Sequence, residues 1–159
     1  MGTVYSVQKT KWDQNEPTTM IKPNEHGGRV RVSYGSYTAA TEQSDIHMFN
    51  LPNGARILPN GARIVSGSIA HDALGSSTTL AVGYAAHTNA AGTAVALDVD
   101  EFKAAAASTS VTTVGAALTA ALGLNTVVDA NEDGLPVTVS LAGANGAGLI
   151  ELTCTWVLD

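Results

Sequence analysis

Two short stretches of this 159-residue chain carry the residue types that acid–base or metal chemistry requires. His71-Asp72 sets an imidazole beside a carboxylate that could orient it. Adjacent residues of an extended chain point to opposite faces, so the two side chains meet only if the backbone turns there. The pair therefore reads as a surface turn. Asp129-Ala130-Asn131-Glu132-Asp133-Gly134 places oxygen-bearing side chains at alternate positions before a glycine, the first half of an Asp-x-Asn-x-Asp-Gly calcium loop. The distal bidentate glutamate is missing, since Ser140 stands there, and no flanking pair of helices is evident. A solvated polar turn is the reading carried forward.

The remaining candidates are single residues. His26, His47, His71 and His87 are not paired at a His-x-x-x-His spacing. Cys154 is the one cysteine, so neither an intrachain disulfide nor a multi-thiolate zinc site can form. It falls on the apolar face of a predicted strand, where a thiol is inert core. No Gly-x-Ser-x-Gly elbow, phosphate-binding glycine loop or dinucleotide fingerprint occurs. The expectation is a protein that is not an enzyme and uses no metal or cofactor.

The elements that would position such residues are mostly strands. Arg29–Tyr37 alternates, with Val30, Val32 and Tyr34 on one face and Arg31 and Ser33 on the other, the pattern of a half-buried strand. Asp45–Leu51, Ala62–Ala70 and Thr78–Ala85 read as further strands, and residues 86–94 as a loop. Leu51–Ile57 is repeated at once as Leu58–Ile64, each copy Leu-Pro-Asn-Gly-Ala-Arg-Ile. Leu-Pro-Asn-Gly is a turn signal, because proline presets φ and Asn-Gly tolerates positive φ. Two copies are too few for a solenoid. Each copy reads as a turn followed by a short strand, and a duplication that lengthened a loop or shifted a strand is favoured over a repeated contact loop displaying Arg56 and Arg63. Asp98–Ala107, with acids ahead of four alanines, predicts one short helix. Val114–Leu124 fits a helical turn or a buried loop. Leu135–Leu158 predicts a closing hairpin around the tip Gly143–Gly148, with Ile150, Leu152, Cys154, Trp156 and Leu158 on one face. Strands recurring every 8–12 residues make the fold class mainly β, an antiparallel β-sandwich or jelly roll, over residues 29–159.

Residues 1–28 read as an extended arm, with Pro17, Pro23 and the break His26-Gly27-Gly28 and no sustained apolar period. Trp12 either anchors the arm on a neighbour or folds back on its own domain. Charge is uneven: residues 1–31 carry a balance of +2 and the remainder −8, for a net −6. That balance argues against nucleic acid as a partner. No apolar run of about 18 residues is present, so no membrane partner is expected, and no basic start with an apolar run predicts a secretory leader. Only 14% of residues are charged, against roughly 25% in an average domain, which predicts a surface covered by partners or by further copies. The expected contacts are Lys9, Lys11, Trp12, Lys22, Arg29 and Arg31, with Arg56 and Arg63 if the repeat displays them.

A polar leader, then Leu51–Ile57, Ser77–Tyr84, Asp98–Phe102 and Val137–Leu158 in that order resembles the capsid decoration, or cement, proteins of tailed bacteriophages. The second Leu-Pro-Asn-Gly copy and residues 104–122 depart from that pattern. The resemblance implies a jelly-roll-like body on the exterior of the virion capsid, made in the host cytoplasm. It would contact the major capsid protein as a homo-oligomer, a trimer being favoured. The rival expectation is a receptor- or glycan-binding head-fibre or tail module, for which Tyr34, Tyr37 and Tyr84 are the candidate aromatics.

Overall fold

In the computed structural model the described residues are 30–42, 44–52, 63–117 and 128–157, and every regular element among them is a strand. The strands are β1 (Val30–Glu42), β2 (Asp45–Leu51), β3 (Arg63–His71), β4 (Thr78–Tyr84), β5 (His87–Thr88), β6 (Ala94–Val95), β7 (Asp98–Ala107), β8 (Thr112–Ala117), β9 (Leu135–Gly143) and β10 (Gly146–Val157). Among them no helix is long and apolar enough to cross a membrane.

The pairing is that of a ribbon folded in half. β1 pairs with β10, β2 with β9, β3 with β8 and β4 with β7, all antiparallel. Rolling this ribbon brings β10 against β3 and β9 against β4. Two four-stranded sheets result, β1-β10-β3-β8 and β2-β9-β4-β7, which is jelly-roll topology. β5 and β6 form a separate small hairpin between β4 and β7. Rolling hides the strands richest in aliphatic residues: β9, β10, β3 and β4 each have a neighbour on both sides.

The core lies between the sheets. From the first come Ile64, Ile69, Ile150, Leu152, Cys154 and Trp156; from the second come Ile46, Leu51, Leu80, Val82, Phe102, Val137, Val139 and Leu141. Leu74, Val128 and Ala130 close it from the connections. Val137, Val139 and Leu141 on β9 and Ile150, Leu152, Cys154 and Trp156 on β10 thus face inward as their alternation predicts, while Leu158 lies outside the described residues.

Four expectations need correction or completion. Asp98–Ala107 is strand β7, not a short helix. Its one buried residue, Phe102, enters the core, and the run pairs with β4 from Tyr84↔Asp98 to Thr79↔Ala107. Ten residues of helix are marginal in water without an apolar face to dock, so sheet pairing overrides alanine propensity. Leu135–Leu158 is not a paired hairpin, because β9 and β10 lie in opposite sheets. Gly143, at φ +87°, ends β9 and lets the chain cross the sandwich instead of reversing within one sheet, and the predicted tip is shorter than 143–148, since β10 already begins at Gly146. The stretch read as helical turn or loop holds strand to Ala117, and 118–127 lie outside the described residues. The loop read over 86–94 contains the β5–β6 hairpin.

The repeat falls in the β2–β3 connection. Leu51, the first residue of copy one, is buried at the end of β2, and Ile64, the last of copy two, is buried in β3; residues 53–62 between them are outside the described set.

Candidate interaction surface

The residues with chemical potential are engaged in turns and strand ends. The imidazole of His71 uses Nδ1 on the backbone carbonyl of Asp72 at 2.8 Å, not on its carboxylate. That carboxylate accepts from Leu149 N at 2.8 Å, and Asp72 N donates to Leu149 O at 2.9 Å. The pair ties the end of β3 to β10 rather than forming a dyad. In the 129–134 turn, Asp129 Oδ1 accepts from Ala90 N at 3.1 Å, while Asn131 Oδ1 accepts from Asp133 N and its Nδ2 donates to Asp133 Oδ2, each at 3.1 Å. The half-motif is a polar turn bonded to itself and to the β5–β6 loop. No group of three or more His, Cys, Asp or Glu among the described residues could hold a metal ion. Cys154 is buried, and burial pushes its thiol up to about 11.

The feature without an internal role is the outer face of the first sheet. The sequence pattern predicts that Val30, Val32 and Tyr34 share a face, and they do, but it is the outward one: they are 60%, 62% and 57% exposed. The inward positions are Arg31, Ser33 and Gly35, which face Trp156, Cys154 and Leu152 across the ladder. The cause is space. A Cβ on Gly35 would lie 2.9 Å from Met48 O and 3.2 Å from Phe49, so β2 leaves no room for large side chains under β1. Alternation reports which residues share a face and not which face is inside.

From this strip the surface continues along β10. The Tyr34 hydroxyl donates to the Glu151 carboxylate, and that bond raises the Tyr34 pKa. Beyond Glu151 a shallow groove is lined by Leu149, Ala70, His71, Val111 and Thr112. Leu149 and Val111 are exposed. A strip of exposed Val, Tyr and Leu on an edge strand and its neighbour is the kind of patch that marks an association surface.

Of the predicted contacts, Lys9, Lys11, Trp12, Lys22, Arg29 and Arg56 lie outside the described residues, as does the whole arm. Arg31 and Arg63 are described and come to the same end of the sheet. Arg31 stands opposite Trp156 on β1, and Arg63 stands opposite Val157 on β3, one on each side of β10. Arg31 is exposed, with its guanidinium 5.7 Å from the centre of the Trp156 ring. Val30, Val32 and Leu149 were not among the expected contacts. The available signal was the small inward set Ser33 and Gly35, which cannot fill a core. Of the three candidate tyrosines, Tyr34 and Tyr37 are exposed, whereas Tyr84 packs edge-on to His87 and Phe102 at 5.2 and 6.2 Å.

No protein-family model matches the chain, and no curated protein matches it. Among solved structures, a chain of the capsid asymmetric unit of cyanophage Pam1 superposes with a TM-score of 0.60 at 22% identity, covering 92% of this chain and 99% of that one. This likeness shows a shared fold along almost the full length of both chains. A chain from the structure of the Gt strain of infectious bursal disease virus superposes far more loosely, with a TM-score of 0.29 and 12% identity over 83% of this chain and 38% of that one.

Proposed function

We propose that the protein is a non-enzymatic structural component of a virion, a decoration protein that binds the outer surface of a major capsid protein lattice and stabilises the head. The observation that carries this reading is the outward apolar strip Val30-Val32-Tyr34 on an edge strand, in a jelly roll whose fold is shared with a chain of a phage capsid asymmetric unit. The work is mechanical. Copies dock across neighbouring lattice subunits, and repetition on a rigid shell lets modest single contacts suffice through effective concentration. The strip supplies apolar contact area. Arg63 and, over the Trp156 ring on the other side of β1, the exposed Arg31 stand at one end of the sheet, and the arm, with Lys9, Lys11, Trp12 and Lys22, together with Arg29, adds a second contact to a neighbour. Arg56 in the repeated loop is a further contact. A homotrimer is the favoured assembly.

The test is co-sedimentation with shells of the virus that encodes the protein, assembled without it. Wild type is expected to bind at a lattice-fixed stoichiometry and raise the temperature of shell disruption. Val32→Glu is expected to fold and not bind, and deletion of residues 1–25 to leave a folded body that no longer holds the shell. Folded wild type that does not sediment with the shells defeats the proposal. A second reading, a glycan-binding module, rests on the exposed rings of Tyr34 and Tyr37. A glycan array with no hits removes it.

A further inference from the structure

The β5–β6 hairpin leaves the sandwich between β4 and β7 and rests on the 128–134 segment. Its loop is set by Asn89, whose Oδ1 accepts from Ala91 N at 3.1 Å and Thr93 N at 2.8 Å. Two bonds tie it to the neighbouring segment: Asn131 N to Thr88 O at 2.8 Å, and Ala90 N to Asp129 Oδ1 at 3.1 Å. The third tie is the ring of His87. Its Nδ1 lies 3.1 Å from Ala85 O, and its Nε2 lies 3.2 Å from Asp129 O.

Both oxygens are backbone carbonyls, which only accept. A neutral imidazole carries one N–H, so it satisfies one of them and turns a lone pair toward the other. The imidazolium donates to both. We infer that His87 is a proton-operated pin: its protonated ring staples the β4–Ala85 end of the hairpin to the 128–131 segment, and deprotonation removes one of the two bonds. Around the ring, Tyr84 of β4 lies edge-on at 5.2 Å and the Asp129 carboxylate of the 128–134 segment is taken up by Ala90 N, while burial first, then the charges of Asp98 and Glu101 on β7, raise the Tyr84 pKa. The other described histidines are built differently. His47 meets the side-chain oxygen of Asn50, and His71 meets the single carbonyl of Asp72.

This device is independent of whether the protein decorates a shell, and it is read on the isolated chain. Amide hydrogen exchange at Ala90 and Asn131, the two N–H donors of the tie, corrected for intrinsic rate, is measured at pH 5.5 and pH 7.5. Protection is expected to be about tenfold greater at pH 5.5, one charge-assisted hydrogen bond's worth. His87→Gln, which offers one donor group in place of two, is expected to abolish the difference, and His71→Gln to keep it. The 15N spectrum of the wild-type imidazole gives a readout that needs no variant: at pH 5.5 both nitrogens of His87 should carry slowly exchanging protons. Protection equal within twofold at the two pH values, or a His87 ring with one N–H at pH 5.5, overturns the inference.

Discussion

The indole N–H of Trp156, on the central strand β10, donates to the hydroxyl of Ser33, on the edge strand β1, at 2.9 Å. This bond fastens the inward side of β1 with a polar contact where Gly35 and the crowding of β2 exclude a large apolar one. It is why β1 can spend its valines and Tyr34 on the outer face and still belong to the sheet.

Ser33→Ala leaves the part-buried indole N–H without that acceptor. Leaving a buried donor unpaired costs about 1–3 kcal/mol. The urea midpoint is expected to fall with an unchanged m-value. A midpoint equal to wild type means that water replaces the hydroxyl at no cost.

Gly83→Ala tests the close passage of β7 over β4. A Cβ at Gly83 would sit 2.0 Å from Asp98 O and 2.5 Å from the backbone of Val99. Neither atom belongs to a flexible side chain, so the backbone must shift. Overpacking of this kind costs about 1–3 kcal/mol or more. Thermal unfolding is the measurement, with a clear drop in Tm expected.

Cys154 is a pH reporter. Burial raises its thiol from 9.0 to about 11, so between those values the folded chain keeps a proton that the unfolded chain has lost. Stability should therefore fall as pH rises through that window, by up to about 3 kcal/mol at two pH units. At pH 8 the native thiol should not react with a disulfide reagent until the chain unfolds. Cys154→Ala is expected to flatten the alkaline slope while creating a small cavity.

Glu101 on β7 has its pKa raised by burial, then by Asp98 and Asp100. A raised carboxyl means the folded state binds the extra proton, so this group's contribution to stability declines as pH rises past the ordinary carboxylate range. Glu101→Gln should raise Tm at pH 7 and leave it unchanged at pH 3.5. The site is largely solvated, so the gain stays below about 1 kcal/mol.

Much of this architecture is legible in the chain itself. Strict alternation at Val137, Val139 and Leu141 and at Ile150, Leu152, Cys154 and Trp156 marks strands with one apolar face, because side chains on a strand repeat every two residues. Turn chemistry marks where β2 ends, at Leu51-Pro52, and where β9 ends, at Gly143. Tertiary structure decided the rest. Asp98–Ala107 became a strand because β4 offered an edge to pair with, and local propensity holds no information about that edge. β9 and β10 separated into two sheets because each found a better partner far away in sequence. Whether Val30, Val32 and Tyr34 point inward or outward depended on how closely β2 packs beneath Gly35. Periodicity is a property of one strand, whereas inside and outside are properties of two layers, and they are set only when the layers meet.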